Sequence, residues 1–361
     1  MEINDIYILA ILILVSIFNI VTTDKYSSRT NIFFYIICIA IFILAAFRDG
    51  IGYDFNAYKE WYDMIHNQMV SSNYLNVEKG YFLLNKIAPN FIILIFIAAV
   101  LGVGIKLFFI NKYSQDKIIS LIMYFTGVFM MFDMGVIRQG IAISICLISI
   151  PYIINRDLYK FLFIILIASL FHITSIVFIP LYFMRDNNYT KKQMYFISIF
   201  VLIFSFFELD RAILKIITYL NVPLISSKIA YYLTYDTGNI TLSLIKRIVF
   251  LFIFIEIIDR KKIKLDKFST ICLNGYFLSI IIMGLFSSVG IIGGRGSLGL
   301  YFLQIFIFAI LFKNMSFIAS KLIFLVLIIL LSLNSMIDLI KDGNNSNQPY
   351  TPYKSIININ S

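Results

Sequence analysis

Apolar runs long enough to cross a bilayer recur along almost the whole chain, and they limit its fold more than any other feature. A helix needs about 20 apolar residues to cross roughly 30 Å of hydrocarbon. Eleven apolar segments of about that order lie at 5–23, 31–47, 91–110, 117–134, 136–154, 161–184, 194–209, 241–258, 268–290, 298–313 and 318–340. Backbone groups in lipid must find their hydrogen bonds within their own segment, and the alternation of a β-barrel is absent, so these segments are predicted to be helices. Composition agrees, with 60% hydrophobic and 14% charged residues against about 25% charged in soluble domains. The expected fold is an all-α polytopic membrane protein of about ten transmembrane helices plus one re-entrant segment, forming a single domain over 1–361.

The formal charge of +10 sits in short connectors rather than in one stripe, which points to topology signals and anionic lipid and away from nucleic acid. The cluster Arg260-Lys261-Lys262-Ile263-Lys264 with Lys267 is assigned to the cytoplasm by the positive-inside rule. Counting from it puts Lys191-Lys192 inside, and residues 210–240, the long loop 48–90, the Arg295 loop and the C-terminus outside. The connector from Asn155 to Lys160 is also basic and also belongs inside. Segment 161–184 is therefore expected to enter and return, with a break near His172. Cys38, Cys146 and Cys272 each lie in an apolar run, far from one another, as inert packing residues. The first run follows the acidic start Met1-Glu2-Ile3-Asn4-Asp5 and is read as a span rather than a signal peptide.

Polar groups at the expected outer ends of helices carry the chemistry. In Phe47-Arg48-Asp49-Gly50-Ile51-Gly52-Tyr53-Asp54, two glycines allow a tight turn, Arg48 can fork onto phosphate, and Asp54 can take a hydroxyl proton or hold the Arg. Tyr58 and Trp61-Tyr62 can stack on sugar rings or form an interfacial belt. Glu78, in Val77-Glu78-Lys79-Gly80-Tyr81, is another acid or base candidate. Arg138 opens a helix whose face is small at Gly140, Ala142 and Ser144, which turns it toward the bundle interior. His172, in Ser169-Leu170-Phe171-His172-Ile173-Thr174-Ser175, is the one ionisable group in the middle of its segment. It is either a functional group or a packed core histidine. Gly293-Gly294-Arg295-Gly296-Ser297, leading to Tyr301, reads as a glycine-rich turn able to aim N–H groups at an anion. Arg247, beside Lys246, joins the outer arginines or snorkels. No metal-ligand spacing, phosphate-binding loop or dinucleotide fingerprint is present, so no metal and no cofactor are expected.

In this order, the motifs around Arg48 to Tyr58, Glu78 to Tyr81, Arg138 to Ala142, Ser169 to Ser175 and Arg295 to Tyr301 resemble the EpsG-like branch of the Wzy-type O-antigen and exopolysaccharide polymerases. The tail Gln348-Pro349-Tyr350-Thr351-Pro352-Tyr353 shares the likeness without an evident role. The resemblance implies a metal-independent glycosyltransferase of the bacterial inner (cytoplasmic) membrane, its site facing the periplasm or exterior. Its substrate would be undecaprenyl-diphosphate-linked oligosaccharide repeat units, with membrane lipids around it and a chain-length regulator and a flippase as partners. Under it, Arg138 and Arg295 hold the diphosphates, Arg48 a diphosphate or a sugar carboxylate, and His172 or Asp54 deprotonates the acceptor. Glu78 stands next as base, with Arg247, Tyr58 and Tyr301 as binding residues. A transporter or flippase of lipid-linked sugars is the alternative from another class, but it should show repeated halves and a charged through-path. A membrane acyltransferase modifying glycans would also place a His in the membrane, yet its acyl donor enters from the cytoplasmic side, away from these arginines.

Overall fold

The computed structural model describes residues 27–67, 77–184, 189–207, 219, 240–287, 291–345, 349–350 and 353–356. The expected span 5–23 and nearly all of loop 210–240 lie outside these residues. The described chain is helical, and its pairing outside helices is a single antiparallel bridge between Arg48 and Ser355. Helices occupy the predicted apolar runs, at Ser27–Ala46, Phe91–Tyr113, Ile137–Ile154, Lys191–Phe204, Ile240–Arg260, Lys267–Leu285 and Ile318–Asn345. Polar caps start several of them. Asn90, Asp116 and Asp266 side chains accept from the amides of Ile93, Ile119 and Ser269 at 2.9, 3.0 and 2.8 Å. Thr190 and Gln193 form a reciprocal capping box, and such caps satisfy the orphan N–H groups of a first turn.

Among the described residues, four helices are long and apolar enough to cross a membrane: Phe91–Tyr113, Ile137–Ile154, Lys267–Leu285 and Gly293–Lys313. Shorter apolar helical stretches lie at Asn31–Ala46, Leu158–Ser169, Ile173–Met184 and Ile318–Leu330. The run from 158 stops at Ser169, passes through a turn at 170–171, and resumes as a 3-10 helix Ile173–Phe178 and a helix Ile179–Met184. The break expected at His172 is therefore present. Loop 48–90 is not plain loop, because it carries the helices Phe55–His66 and Lys79–Ile87. Phe55, Tyr58, Tyr62 and Ile65 form the buried stripe of the first, at spacings of three, four and three that mark an amphipathic helix.

The chain divides into two compact units. The first comprises the described parts of Met1–Ser149, Phe163–Ile173 and Phe308–Ser361, and the second those of Ile150–Leu162 and Thr174–Ile307. In the first, Ser27–Ala46 packs on Phe91–Ala99, and Ile318–Asn345 lies against the π-helical stretch Phe125–Asp133. In the second, Lys267–Leu285 is central, with Ile179–Met184, Lys191–Phe204, Ile240–Arg260 and Gly296–Tyr301 around it. Glycine permits the closest of these approaches, since a Cβ on Gly284 would stand 3.1 Å from the carbonyl oxygen of Val201. Large apolar side chains such as Phe163, Phe196 and Ile323 point outward, as they must where lipid is the solvent.

Candidate functional site

The site in the first unit begins at the turn after Ser27–Ala46. Gly50, Gly52 and Asp54 all take positive φ, at 64°, 96° and 61°, so the chain reverses over six residues. A side chain on Gly52 would strike the carbonyl of Met134, which makes glycine obligatory there. Asp54 tolerates the left-handed region better than most residues, and its carbonyl accepts from the Tyr58 amide at 2.8 Å to start the next helix. This turn drives Arg48 inward until it is 1% exposed. Its Nη1 donates to the Asp133 carbonyl at 2.8 Å, and its guanidinium stands 5.8 Å from the Phe55 ring. Burial lowers its pKa, against the pull of Tyr350, Tyr58 and Asp133 nearby. The Arg48 Nε finds no acceptor among the described residues.

Arg138 stands at the start of Ile137–Ile154, on the same cluster. Its Nη1 bonds the Glu78 carboxylate, and its guanidinium lies over the ring of Trp61, the one tryptophan of the chain, at 4.9 Å. A carboxylate and an aromatic face together fix the plane of the fork. Its Nε, too, has no acceptor among the described residues, so part of the donor edge is uncommitted. Tyr58 packs between Trp61 and Tyr81, with ring centroids 5.4 and 5.5 Å away. Burial pushes its phenol up to about 12, with the Arg138 charge opposing and Asp54 adding to the rise, so it remains a neutral donor at pH 7.

Of the residues singled out in the sequence, the first unit thus gathers Arg48, Asp54, Tyr58, Glu78 and Arg138 into one neighbourhood. His172 is half-buried in the helix break of the same unit. That break is fastened to the Glu78 segment, because the Gly80 amide donates to the Leu170 carbonyl at 2.8 Å. A Cβ on Gly80 would sit 2.7 Å from that oxygen, so the approach depends on glycine.

Sequence reasoning missed the buried pair behind Arg48. Lys106 Nζ donates to Asp133 Oδ1 at 2.7 Å and to the Gly140 carbonyl at 2.9 Å, while Tyr124 donates to Asp133 Oδ2 at 2.7 Å. The two charged side chains are 0% and 1% exposed. Asp133 therefore fixes Lys106 and Tyr124 through its carboxylate and Arg48 through its carbonyl. A lysine inside one apolar run and an aspartate at the end of another were the available signal, since intramembrane charges mark functional sites.

Arg247, Arg295 and Tyr301 belong to the second unit. Arg247 is buried, its guanidinium lies 4.2 Å from the Tyr301 ring, and its Nη1 donates to Ser297 Oγ at 2.8 Å. Tyr276 stacks on Tyr301 at 5.7 Å and donates to the Arg247 carbonyl. Arg295 is exposed within its unit. The glycine-rich turn expected at Gly293–Ser297 is instead helical, a π-helix Ile291–Arg295 running into Gly296–Tyr301. The glycines thus run on into the helix Gly296–Tyr301 rather than forming a turn before it.

The fold and site define an α-helical membrane protein carrying a buried, aromatic-lined arginine cluster. The EpsG family matches residues 31–355, and the chain belongs to that family. Among curated proteins it is similar to the amylovoran biosynthesis protein AmsC of Erwinia amylovora, at 28% identity over 214 residues, 57% of this chain and 56% of that protein. The match thus spans little more than half of that relative's length. No solved structure matches.

Proposed function

We propose that this chain polymerises undecaprenyl-diphosphate-linked oligosaccharide repeat units into an exopolysaccharide or O-antigen at the outer face of the bacterial inner membrane, acting as one domain over 1–361. The observation that carries the reading is the Arg48–Tyr58–Arg138–Glu78–Trp61 cluster in a membrane protein of the EpsG family. A relative described by its part in amylovoran biosynthesis adds weight.

The chemistry is a displacement at the anomeric carbon of the growing chain. The bond from that carbon to the diphosphate oxygen breaks, a bond to the acceptor hydroxyl oxygen forms, the hydroxyl proton passes to a base, and undecaprenyl diphosphate departs as the anion. Such a leaving group is already activated, so the protein must hold charge and accept a proton. Arg138 supplies positive charge for the diphosphate and Arg48 for a diphosphate or a sugar carboxylate, and Trp61 and Tyr58 offer apolar faces and a neutral hydroxyl to sugar. Glu78, bonded to Arg138, orients the fork. His172 or Asp54 is the base. Arg247, Arg295 and Tyr301, considered within the second unit alone, are candidate residues for binding diphosphate or sugar. No metal takes part in this scheme. A chain-length regulator and a flippase are the partners it implies.

The test is purified protein in vesicles with a lipid-linked repeat unit and no nucleotide. A ladder of lengthening glycans with matching release of undecaprenyl diphosphate is expected. Movement of the lipid across the bilayer without a new glycosidic bond would overturn the polymerase reading in favour of a flippase.

The same reading places about ten spans in the membrane, with the broken segment 161–184 entering and returning on the cytoplasmic side. Reporters fused after Arg156 and after Asn188 are both expected to read cytoplasmic; opposite readings would make the segment a plain span.

A further inference from the structure

The last described residues of the chain are bound to the Arg48 turn. Arg48 and Ser355 form an antiparallel pair, flanked by Asp49 N–H to the Lys354 carbonyl at 3.0 Å and Ile356 N–H to the Phe47 carbonyl at 3.0 Å. The Ser355 hydroxyl adds a bond to the Phe47 carbonyl at 3.0 Å, and Tyr353 donates to the Leu44 carbonyl at 3.1 Å. Further along, the Gly52 amide donates to the Pro349 carbonyl at 2.9 Å. Tyr350 is 1% exposed, packs edge-on against Tyr53 at 5.5 Å, and presses its hydroxyl where a Cβ on Gly135 would stand 2.7 Å away. Burial raises its phenol pKa, opposed by the hydrogen bond from the Tyr53 amide and by the Arg48 charge.

We infer that the tail residues Pro349, Tyr350 and 353–356 are a working part of the site, and that Tyr350 is a positioning residue that sets Arg48 in place. The turn it holds has three positive-φ residues, so its own backbone preferences do not select one shape. The tail supplies backbone hydrogen bonds to the turn, and the Asp133 carbonyl takes the guanidinium. Without the tail, Arg48 loses its fixed direction while the helices that carry the fold are untouched. The inference rests on the polymerase reading only for its activity assay.

The test compares full-length protein with Tyr350→Ala, Tyr350→Phe and a chain ending at Gln348. Hydrogen exchange over residues 48–53 is expected to quicken at least tenfold in Tyr350→Ala, and little in Tyr350→Phe, which keeps the ring. In polymerisation, Tyr350→Ala should raise KM for the lipid-linked unit at least tenfold at unchanged protein level, and the truncated chain should be inactive. Tyr350→Ala placed on Arg48→Ala should add nothing further, because residues acting through one another are not additive. Unchanged exchange in Tyr350→Ala, an active truncated chain, or independent losses in the double variant would each overturn the inference. If full-length protein makes no polymer at all, the functional reading fails, while the exchange comparison still decides the positioning claim.

Discussion

Arg138→Lys is expected to abolish polymerisation nearly as completely as Arg138→Ala. Lysine keeps the charge but presents a compact ammonium, without the planar two-point donor edge or the flat face that lies on Trp61. Loss of one preorganised donor to a charge developing in the transition state costs roughly 10²–10³-fold in rate. Arg138 also gives up its bond to Glu78, so the carboxylate is left beside an empty place. Both variants should reach wild-type protein level, because Arg138 is half-buried at a helix start rather than in the packed core. Turnover of purified protein on a lipid-linked repeat unit reads the effect. Full activity in Arg138→Lys would reduce this residue to generic positive charge.

His172 divides catalysis from binding. If it is the base, only its neutral form can take the acceptor proton. His172→Gln is then expected to slow transfer by roughly 10²–10⁴-fold at saturating substrate, the usual share of a positioned acid or base, with binding almost unchanged. A histidine that only holds a sugar hydroxyl gives the opposite pattern, a raised KM with a small loss of kcat. A histidine that only fills space keeps its activity as Gln and loses protein level as Ala. Near-normal turnover in His172→Gln at saturation would leave Asp54 or Glu78 as the next candidates for the base.

What was legible beforehand follows from the range of the physics involved. Hydropathy is local, so the helices from Ser27–Ala46 to Ile318–Asn345 lie where the apolar runs place them. An arginine on the expected outer side contradicts the positive-inside rule, so Arg48 and Arg138 stood out without any knowledge of contacts. Their partners depend on packing. Trp61 meets Arg138 because Phe55–His66 is an amphipathic helix, a period that a long loop between spans conceals. Lys106 and Asp133 sit 27 residues apart in runs dominated by apolar neighbours, and each alone passes for a snorkelling or terminal charge. At Gly293–Ser297, glycine content suggested a turn, yet residues 291–301 run on as helix. The tail offered no local pattern, since its meaning lies in a backbone partner far away along the chain.

That separation has a consequence for biogenesis. Ser355 pairs with Phe47 across 308 residues, so a ribosome must deliver every intervening helix before the two segments can meet. Loop closure over such a distance comes late in folding, and the Arg48 turn therefore remains unset while the chain is being threaded into the bilayer. In a half-made chain the Arg48 turn lacks its bonds to Lys354, Ser355 and Ile356, and it is secured only once synthesis has reached those residues. For work on the protein, affinity handles and fluorescent fusions are best kept off residues 349–350 and 353–356, whose contacts make this closing step.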